Sequence, residues 1–241
     1  MGGVCVTDLQ TSWGQGWGYN RYCPSRSCAV AADCNNAPAG CGAVAIAQVW
    51  NASNLQKPTH YTVPPAGPQP ITYPLLDLSA LLCNTNDPED MMIASLIRVA
   101  GMWAGSNYNF IGCNTLTWRE NIKDAFVAAG YSKPGTRVAW TTYENNALSE
   151  LSFGYPAIID GTKGTDDIGQ FHIWVVDGIE AVNHYVEPED PYAQCIETRL
   201  RLYHLNWGWN GSDNGYYALG NFMGSALNYR SYLNVTYGFR P

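Results

Sequence analysis

The 241-residue sequence has little charge and no long apolar run. Charged residues make up only 14% of it, and 20 acidic against 13 basic side chains give a net charge of −7. The sequence contains no cluster of Lys and Arg that would form a basic surface. Nucleic acids and anionic membranes are therefore not expected partners. Because no run of about eighteen apolar residues occurs, no segment is expected to span a membrane.

No signal peptide is expected within the sequence, since Met1 to Gly3 lead straight into the part expected to fold. Eight cysteines are nevertheless many for a protein of the reducing cytosol. We therefore expect the mature part of an exported protein, either secreted or exposed at the cell envelope.

Four of the cysteines lie close together, at Cys23, Cys28, Cys34 and Cys41. No Cys-x-x-Cys pair and no nearby His accompany them, so neither a zinc site nor any other metal site is expected. Disulfides or buried thiols are the simpler interpretation. If Cys41 is free, seven cysteines remain, and at least one more is unpaired in a monomer.

What the sequence does contain is typical of one globular domain of mixed structure. Hydrophobic residues make up 46%, and nine Trp and sixteen Tyr favour a body rich in strands and loops. Hydrophobic spacing predicts helices over Ala43–Trp50, Asp90–Ala104 and Thr117–Ala129. Residues 56–74 hold six Pro and are expected to form an extended surface loop.

The pattern changes near residue 137. Turn signals such as Asp177-Gly178 separate short runs that favour strands. The predicted strands are Ala157–Asp160, Phe171–Ile179, His184–Glu187 and Thr198–Asn206. We therefore predict an α+β fold, with a mainly helical lobe over about 1–136, a mainly β lobe over 137–241 and a cleft between them.

Cys41 is a candidate nucleophile because it lies at the predicted start of a helix. The positive end of the helix dipole favours a thiolate there. Gly40 and Gly42 on either side leave room for a substrate backbone. A buried structural cysteine at a helix start would give the same local pattern.

Only four His could serve as a base for this thiol, and two of them are strong candidates. His172 opens an apolar strand, where it could line a cleft. His204 is a rival that lies two residues before Asn206, on the same face of its strand. The chain order Cys41, His172, Asn206 is that of papain-type enzymes, in which the Asn orients the imidazole.

Four segments together resemble the streptopain family of cysteine peptidases, within the papain-like clan. They are Trp13-Gly14-Gln15 with Tyr19-Asn20, Gly40-Cys41-Gly42 with the apolar run after it, Gln170-Phe171-His172-Ile173-Trp174, and Asn206-Trp207-Gly208-Trp209 with Gly215-Tyr216-Tyr217. They cover nearly the whole chain, and the Asn-Trp-Gly-Trp hairpin is the most specific of them. The resemblance implies a papain-like two-lobed fold with an antiparallel or barrel-like β lobe.

The resemblance also implies a role for each site residue. Cys41 would attack the peptide carbonyl, and His172 would pair with the thiolate and then protonate the leaving amine. Gln15 would donate to the oxyanion, and Asn206 would orient His172. Trp207 would shield that hydrogen bond and Trp209 would line the cleft, whereas His204 falls on a position without a catalytic role.

Some positions depart from the family pattern. Phe171 and Ile173 flank the histidine where smaller residues are usual, and Phe171 is expected to line and narrow the substrate cleft. Gly42 replaces a larger residue. Gly16-Trp17-Gly18 lacks the usual Pro, and the Pro-rich stretch 56–74 matches poorly. These departures bear on specificity and rate more than on mechanism.

The sequence therefore predicts a cofactor-free, monomeric cysteine endopeptidase that acts on proteins or peptides. The family resemblance implies a zymogen whose own pro-segment blocks the cleft, and that segment is expected to lie outside this chain. Two alternatives remain: a catalytically weak binding or immunity-type module on the same fold, and an enzyme that cleaves cell-wall peptides.

Overall fold

A computed structural model describes residues 4–6, 9–26, 34–52, 55, 58–63, 66–75, 81–164, 171–186, 196–219, 222–224, 227–229 and 231–241. The α-helices in these ranges are α1 Cys41–Asn51, α2 Pro88–Trp103, α3 Ile122–Ala128 and α4 Trp140–Ser152. Short 3₁₀ segments cover Ile111–Cys113 and Arg119–Asn121.

The strands form one large sheet and three small hairpins. In chain order they are β1 Val4–Val6, β2 His60–Val63, β3 Ala66–Pro70, β4 Asn107–Phe110, β5 Asn114–Leu116, β6 Lys133–Ala139, β7 Ala157–Thr162, β8 Phe171–Val186, β9 Ile196–Asn206, β10 Gly215–Ala218, β11 Met223–Gly224, β12 Leu227–Asn228 and β13 Ser231–Arg240. The large sheet has the order β10-β9-β8-β7-β13-β6, with β1 paired to β8. All its pairings are antiparallel.

The large sheet is buried on both faces, because alternate side chains of a strand point to opposite sides. Ile158, Ile173 and Val175 belong to one hydrophobic cluster, which also contains α1, α2 and α3 residues. Trp174 and Val176, their neighbours in the chain, belong to a second cluster with α4 residues. The sheet thus lies between α1–α3 on one face and α4 on the other.

Helix α1 is buried along its whole length after Cys41. Its small apolar residues allow close packing against α2 and β8. Cys41 is its first residue, and the packing against β8 brings that end of the helix near His172. The central position of α1 in the fold therefore fixes where the thiol lies.

The predicted α+β class is confirmed, and most predicted helices and strands are present. The helix predicted over Thr117–Ala129 is shorter, because Arg119–Asn121 forms a 3₁₀ turn before α3 begins. Helix α4 was not predicted at all. Its buried residues, Trp140, Tyr143, Ala147 and Leu151, do follow a helical spacing.

Two predicted irregular segments were wrong. Asp177-Gly178 is not a turn but lies inside β8, where the register against β9 shifts. Its buried carboxylate accepts hydrogen bonds from the Leu9 N–H (2.8 Å) and His204 Nδ1 (2.7 Å), which hold it within the sheet. Part of the Pro-rich stretch 56–74 forms the β2–β3 hairpin. The strand predicted over His184–Glu187 is the end of β8, and Glu187 is outside the described residues.

The described cysteines divide into bonded and free thiols. Cys34 and Cys83 form a disulfide, and Cys113 is also disulfide-bonded. Cys23 and Cys41 are free, so a second unpaired thiol does accompany Cys41. The predicted cluster member Cys28 is outside the described residues. Within the described ranges, no helix is long and apolar enough to cross a membrane, and no group of His, Cys, Asp or Glu could hold a metal ion.

Candidate active site

Gly40 determines how the chain enters α1 and presents Cys41. Its φ of 92° lies in the left-handed region, which glycine adopts without strain. A Cβ at Gly40 would lie 2.9 Å from Thr115 Cγ2, so the loop also packs too closely for a side chain. Cys41 follows directly and is partly exposed, at the floor of a hollow of about 250 Å³.

This hollow, which we call the thiol hollow, brings three of the four predicted catalytic residues together: Gln15, Cys41 and His172. The remaining lining residues come from the stretch before α1, the β4–β5 hairpin and the start of β8, namely Pro38, Phe110, Ile111, Asn114, Thr115, Leu116, Thr117 and Phe171. Nothing in the sequence of the β4–β5 hairpin marks it as a cleft wall, so its place at the site is not predictable from the sequence.

The surroundings of the Cys41 sulfur act on its ionisation in opposite directions. Burial is the largest cause and raises the pKa of the thiol to about 11. Hydrogen bonds from the backbone N–H groups of Ile173, Gly42 and Cys41 itself oppose burial and lower the pKa. The free N–H groups at a helix start are available to an anion in this way. Burial thus favours the neutral thiol, and the backbone N–H groups around the sulfur favour the predicted thiolate.

The His172 ring is 5% exposed and held by a backbone carbonyl. Its Nε2 lies 2.9 Å from the Trp207 carbonyl oxygen. Since a carbonyl oxygen only accepts, Nε2 must carry the proton, and Nδ1 of the neutral ring has the free lone pair. This tautomer leaves Nδ1 as the nitrogen that can take a proton from a thiol.

Aromatic rings surround the imidazole. The centroid of the His172 ring is 4.8 Å from that of Trp209, 5.4 Å from Tyr229, 5.9 Å from Trp174 and 6.0 Å from Trp207. Burial is the largest cause that lowers the pKa of His172 to about 4; the hydrogen bond to Trp207 opposes it, and the charge of Lys163 adds to it. Trp207 itself is fully buried and stacks on Trp174 and Trp209, consistent with shielding of the ring from water.

The described side-chain hydrogen bonds of Asn206 do not include one to the His172 ring. Asn206 Oδ1 accepts from Gln48 Nε2 (2.9 Å) and the Gly208 N–H (3.2 Å), and its Nδ2 donates to the Thr11 carbonyl (2.7 Å). The register explains this difference from the prediction, because Asn206 lies opposite Val175, three residues beyond His172 and roughly 10 Å along the strand. The backbone of the next residue, Trp207, reaches the ring instead.

The loop that carries Gln15 is hydrogen-bonded to the stretch before α1 and to the turn that contains Asn210. The Ala39 N–H donates to the Gln15 carbonyl (2.8 Å), and the Asn210 N–H donates to the Trp13 carbonyl (3.3 Å). The side-chain amide of Gln15 has no hydrogen-bond partner in the described part of the chain and lines the thiol hollow. It is therefore available as a donor beside Cys41.

The departures from the family pattern have local explanations. A Cβ at Gly42 would lie 2.7 Å from Thr117 Cβ, so the buried Thr117 occupies the space of the larger residue. Phe171 forms part of the wall of the thiol hollow, and the Arg119 guanidinium lies 5.6 Å from its ring centroid. Arg119 in turn contacts the buried Asp160 carboxylate at 3.4 Å.

Two residues near the imidazole were not found from the sequence. Tyr229 packs on the His172 ring, and Lys163 Nζ lies 5.4 Å from the Tyr229 ring centroid. No motif marks either residue. The rival histidine, His204, is paired with Asp177 and does not line the thiol hollow.

Comparison with known protein families decides the assignment. The model of the peptidase C10 family matches residues 13–217, which is most of the chain. The chain belongs to the peptidase C10 family. It is therefore a cysteine-type endopeptidase, and the resemblance to the streptopain family is confirmed.

Solved structures of similar fold include that of active wild-type interpain A, a cysteine protease of Prevotella intermedia. It is 20% identical, with a TM-score of 0.62, and the match covers 96% of this chain and 93% of that one. A fragment of prointerpain A from the same organism, also 20% identical, gives a TM-score of 0.54 over 96% of this chain and 71% of that one. At this identity the likeness concerns the fold. A search of curated protein sequences found no match.

Proposed function

We propose that Cys41 is the nucleophile of this peptidase, His172 its acid–base partner and Gln15 its oxyanion donor. The observation that carries the proposal is that these three side chains line one hollow. They come from the N-terminal loop, the start of α1 and the start of β8, so only the folded chain unites them. Cys23, the second free thiol among the described residues, does not line that hollow, and neither does the rival base His204.

The reaction begins with transfer of the thiol proton from Cys41 to His172 Nδ1. Burial disfavours either charge by itself, but thiolate and imidazolium form together and stabilise each other. Backbone N–H groups around the sulfur favour the anion, and the Trp207 carbonyl favours the imidazolium. The thiolate then attacks the peptide carbonyl carbon, and the resulting oxyanion accepts from the Gln15 amide and the Cys41 N–H.

Collapse of the tetrahedral intermediate breaks the C–N bond. The imidazolium gives its Nδ1 proton to the leaving amine, which leaves a thioester on Cys41. Water, deprotonated by the same nitrogen, then attacks the thioester carbonyl and the C–S bond breaks. The acyl part leaves as a carboxylic acid, and the imidazolium proton returns to the Cys41 sulfur. The ring needs one fixed orientation through both halves of the reaction, and the hydrogen bond from Nε2 to Trp207 provides it.

Asn206 supports the orientation of the His172 ring indirectly, through the turn that contains Trp207. Its amide joins α1 through Gln48, the N-terminal segment through Thr11 and the following turn through Gly208. Because the Trp207 carbonyl belongs to that turn, Asn206 fixes the group that holds the ring. It is thus a positioning residue, and Trp207 and Trp209 exclude water around the ring.

The substrates of a peptidase family are proteins or peptides, and we further propose that the enzyme acts outside the cell as a monomer. One of the similar structures is a pro-form, which supports synthesis of this enzyme as a zymogen with a pro-segment over the cleft. The large sheet, packed on both faces, supports a single peptidase domain.

Incubation of the purified protein with casein and with peptidoglycan tests the proposal. We expect casein fragments from the wild type and none from Cys41→Ala, with peptidoglycan left intact. Release of wall peptides alone would assign the enzyme to the cell wall, and loss of neither substrate would support a binding module.

A further inference from the structure

Trp17 occupies a backbone position that is unfavourable for its side chain. The Tyr19 N–H donates to the Gly16 carbonyl (3.1 Å), and both central residues have positive φ, 55° at Trp17 and 103° at Gly18. Such a turn is of the I′ kind, in which Asn, Asp or Gly normally takes the first central position. A bulky residue there costs about 1 kcal/mol of backbone strain.

Packing does not repay this strain. The Trp17 side chain is 56% exposed and stacks on no other ring in the described part of the molecule. Gly18, the other central residue, is needed because a Cβ there would lie 2.7 Å from Leu81. Packing at Gly18 thus explains the turn, whereas no ring contact of the half-exposed Trp17 in the described part of the molecule explains the choice of Trp.

Trp17 lines a second hollow, of about 320 Å³, together with Trp209. The other residues of this aromatic hollow are Gln15, Gly16, Pro38, Asn114, Gly208 and Asn210. Gln15, Pro38 and Asn114 also line the thiol hollow, so the two hollows meet at the proposed oxyanion donor. A peptide lying across Cys41 can therefore enter both.

The position of Trp209 indicates which part of a substrate the aromatic hollow receives. Its ring is 4.8 Å from the His172 ring, which under the proposed function gives a proton to the leaving amine. The aromatic hollow therefore lies on the leaving side of the scissile bond. None of its eight lining residues is ionisable, so a charged side chain would lose hydration there without gaining a partner of opposite charge.

We propose that Trp17 and Trp209 form a subsite for the substrate segment that follows the scissile bond, selective for a large apolar or aromatic residue. This inference rests on the proposed function of Cys41 and His172. It makes Trp17 a specificity-determining residue that contacts substrate, and it explains why a strained and exposed indole is present beside Gln15.

The test uses internally quenched peptides that differ only in the residue after the scissile bond, Phe in one and Asp in the other, with cleavage sites checked by mass spectrometry. We expect wild type to prefer the Phe peptide by kcat/KM. In Trp17→Asn this preference falls roughly five- to tenfold, and in Trp17→Phe most of it is retained. The control variant is Phe153→Ala, which removes an exposed aromatic side chain (68% exposed) at the end of α4. We expect it to keep the wild-type preference for the Phe peptide.

Thermal unfolding separates this role from a structural one. Because Asn suits the turn better than Trp, Trp17→Asn is expected to unfold at the wild-type temperature or above it. A Trp17→Asn protein with wild-type peptide preference, or one that unfolds at a clearly lower temperature, would overturn the inference. Wild-type hydrolysis of a peptide ester without residues after the scissile bond isolates the Cys41 chemistry. Failure there, unlike an unchanged preference, counts against the proposed function itself.

Discussion

At the scale of single residues, the backbone orients His172, the proposed acid–base group. The Trp207 carbonyl fixes the His172 tautomer, since it accepts from Nε2 and leaves Nδ1 free. The carbonyl is a backbone group, so a substitution of the Trp207 side chain does not remove it. The contribution of the imidazole to catalysis is therefore measured by substitution of His172. The rival His204 offers a matched comparison, because it is also a histidine in the large sheet, with a carboxylate partner.

We predict that His172→Ala lowers kcat/KM on a quenched peptide by about 10²–10⁴-fold, since it removes the base and the acid together. His204→Ala should keep kcat within a few-fold, because its ring bonds to Asp177 and is outside the thiol hollow. Parallel melting curves show that both variants are folded. The opposite ranking of the two variants would assign the base to His204.

The pH dependence follows from the same ring. Burial lowers the pKa of His172 to about 4, so the ring stays neutral and able to accept a proton down to that pH. We predict that kcat/KM is maintained from pH 7 to 5 and falls as the pH drops through about 4. An acid limb centred near pH 6.5, the ordinary value for His, would contradict the buried environment.

Stability is expected to fall over part of the same range. The unfolded chain binds this proton from about pH 6.5 downward, whereas the folded chain resists it until about pH 4. The folded state therefore loses stability as the pH falls between these values. The folded fraction must be measured by circular dichroism at each pH, so that loss of structure is separated from protonation of the ring.

The sequence predicts individual residues well where a motif marks them and poorly elsewhere. Gln15, Cys41 and His172 line one hollow as their motifs suggested. Asn206 was predicted to orient His172 directly, but it lies opposite Val175 in the sheet. The register between two strands decides which residue lies beside the ring, and the sequence of one strand does not give that register. Tyr229 packs on the His172 ring only because the fold brings the two residues together, and no sequence motif marks this contact.

At the scale of elements, the start of α1 is the critical junction. Gly40 adopts a φ of 92° and lies against Thr115, which belongs to β5 in the cleft wall. Gly40 thus joins the start of α1 to the β4–β5 hairpin. A side chain here would push the two apart at the point where the thiol is presented.

We predict that Gly40→Ala lowers both the melting temperature and kcat, by contact with Thr115 in addition to backbone strain. Gly130→Ala is the matched control, because Gly130 also has positive φ (80°) but an added Cβ would meet nothing within 4 Å. The control should show only the strain, a loss of about 1 kcal/mol or a little more in unfolding free energy. Equal losses in both variants would show that the Thr115 contact has no effect.

Helices and strands were predicted where the apolar residues follow one clear helical or strand spacing. The apolar run after Cys41 identified α1, and the strands of the large sheet followed from their β-branched and aromatic residues. Helix α4 was missed because its exposed face is rich in Thr and Asn, which are weak helix formers. The bulge at Asp177-Gly178 looked like a turn because the buried partners of Asp177 are far away in the chain.

At the scale of the whole molecule, a disulfide ties the stretch before α1 to the one before α2. Cys34 and Cys83 are 49 residues apart in sequence, and their bond restricts the unfolded chain. For a loop of this length the chain-entropy account gives about 4 kcal/mol of stabilisation. The sequence indicated disulfides in general, but the pairing depends on distances that only the fold sets.

We predict that Cys34→Ser/Cys83→Ser lowers the melting temperature by roughly 10 °C, as expected for about 4 kcal/mol in a chain of this size. Differential scanning calorimetry in the absence of reductant measures this shift. Kcat at 25 °C should change little, because neither cysteine lines the thiol hollow. An unchanged melting temperature would mean that the unfolded chain gains no freedom without the bond.

The arrangement of the molecule concentrates its reactivity on one thiol. Two free cysteines are described, but Cys23 is 6% exposed, and burial raises its pKa to about 12. Cys41 opens onto the thiol hollow beside His172 and Gln15. The two thiols therefore differ in access and in the presence of a base, which makes them an internal comparison.

Stoichiometric labelling with an epoxide thiol reagent tests the central claim most directly. Labelled wild-type protein is digested and mapped by mass spectrometry while casein hydrolysis is followed in the same sample. The account predicts one label per chain, on Cys41, with hydrolysis lost in proportion to labelling and no label in Cys41→Ala. A label on Cys23 instead, or casein hydrolysis that persists once Cys41 is fully labelled, would contradict it.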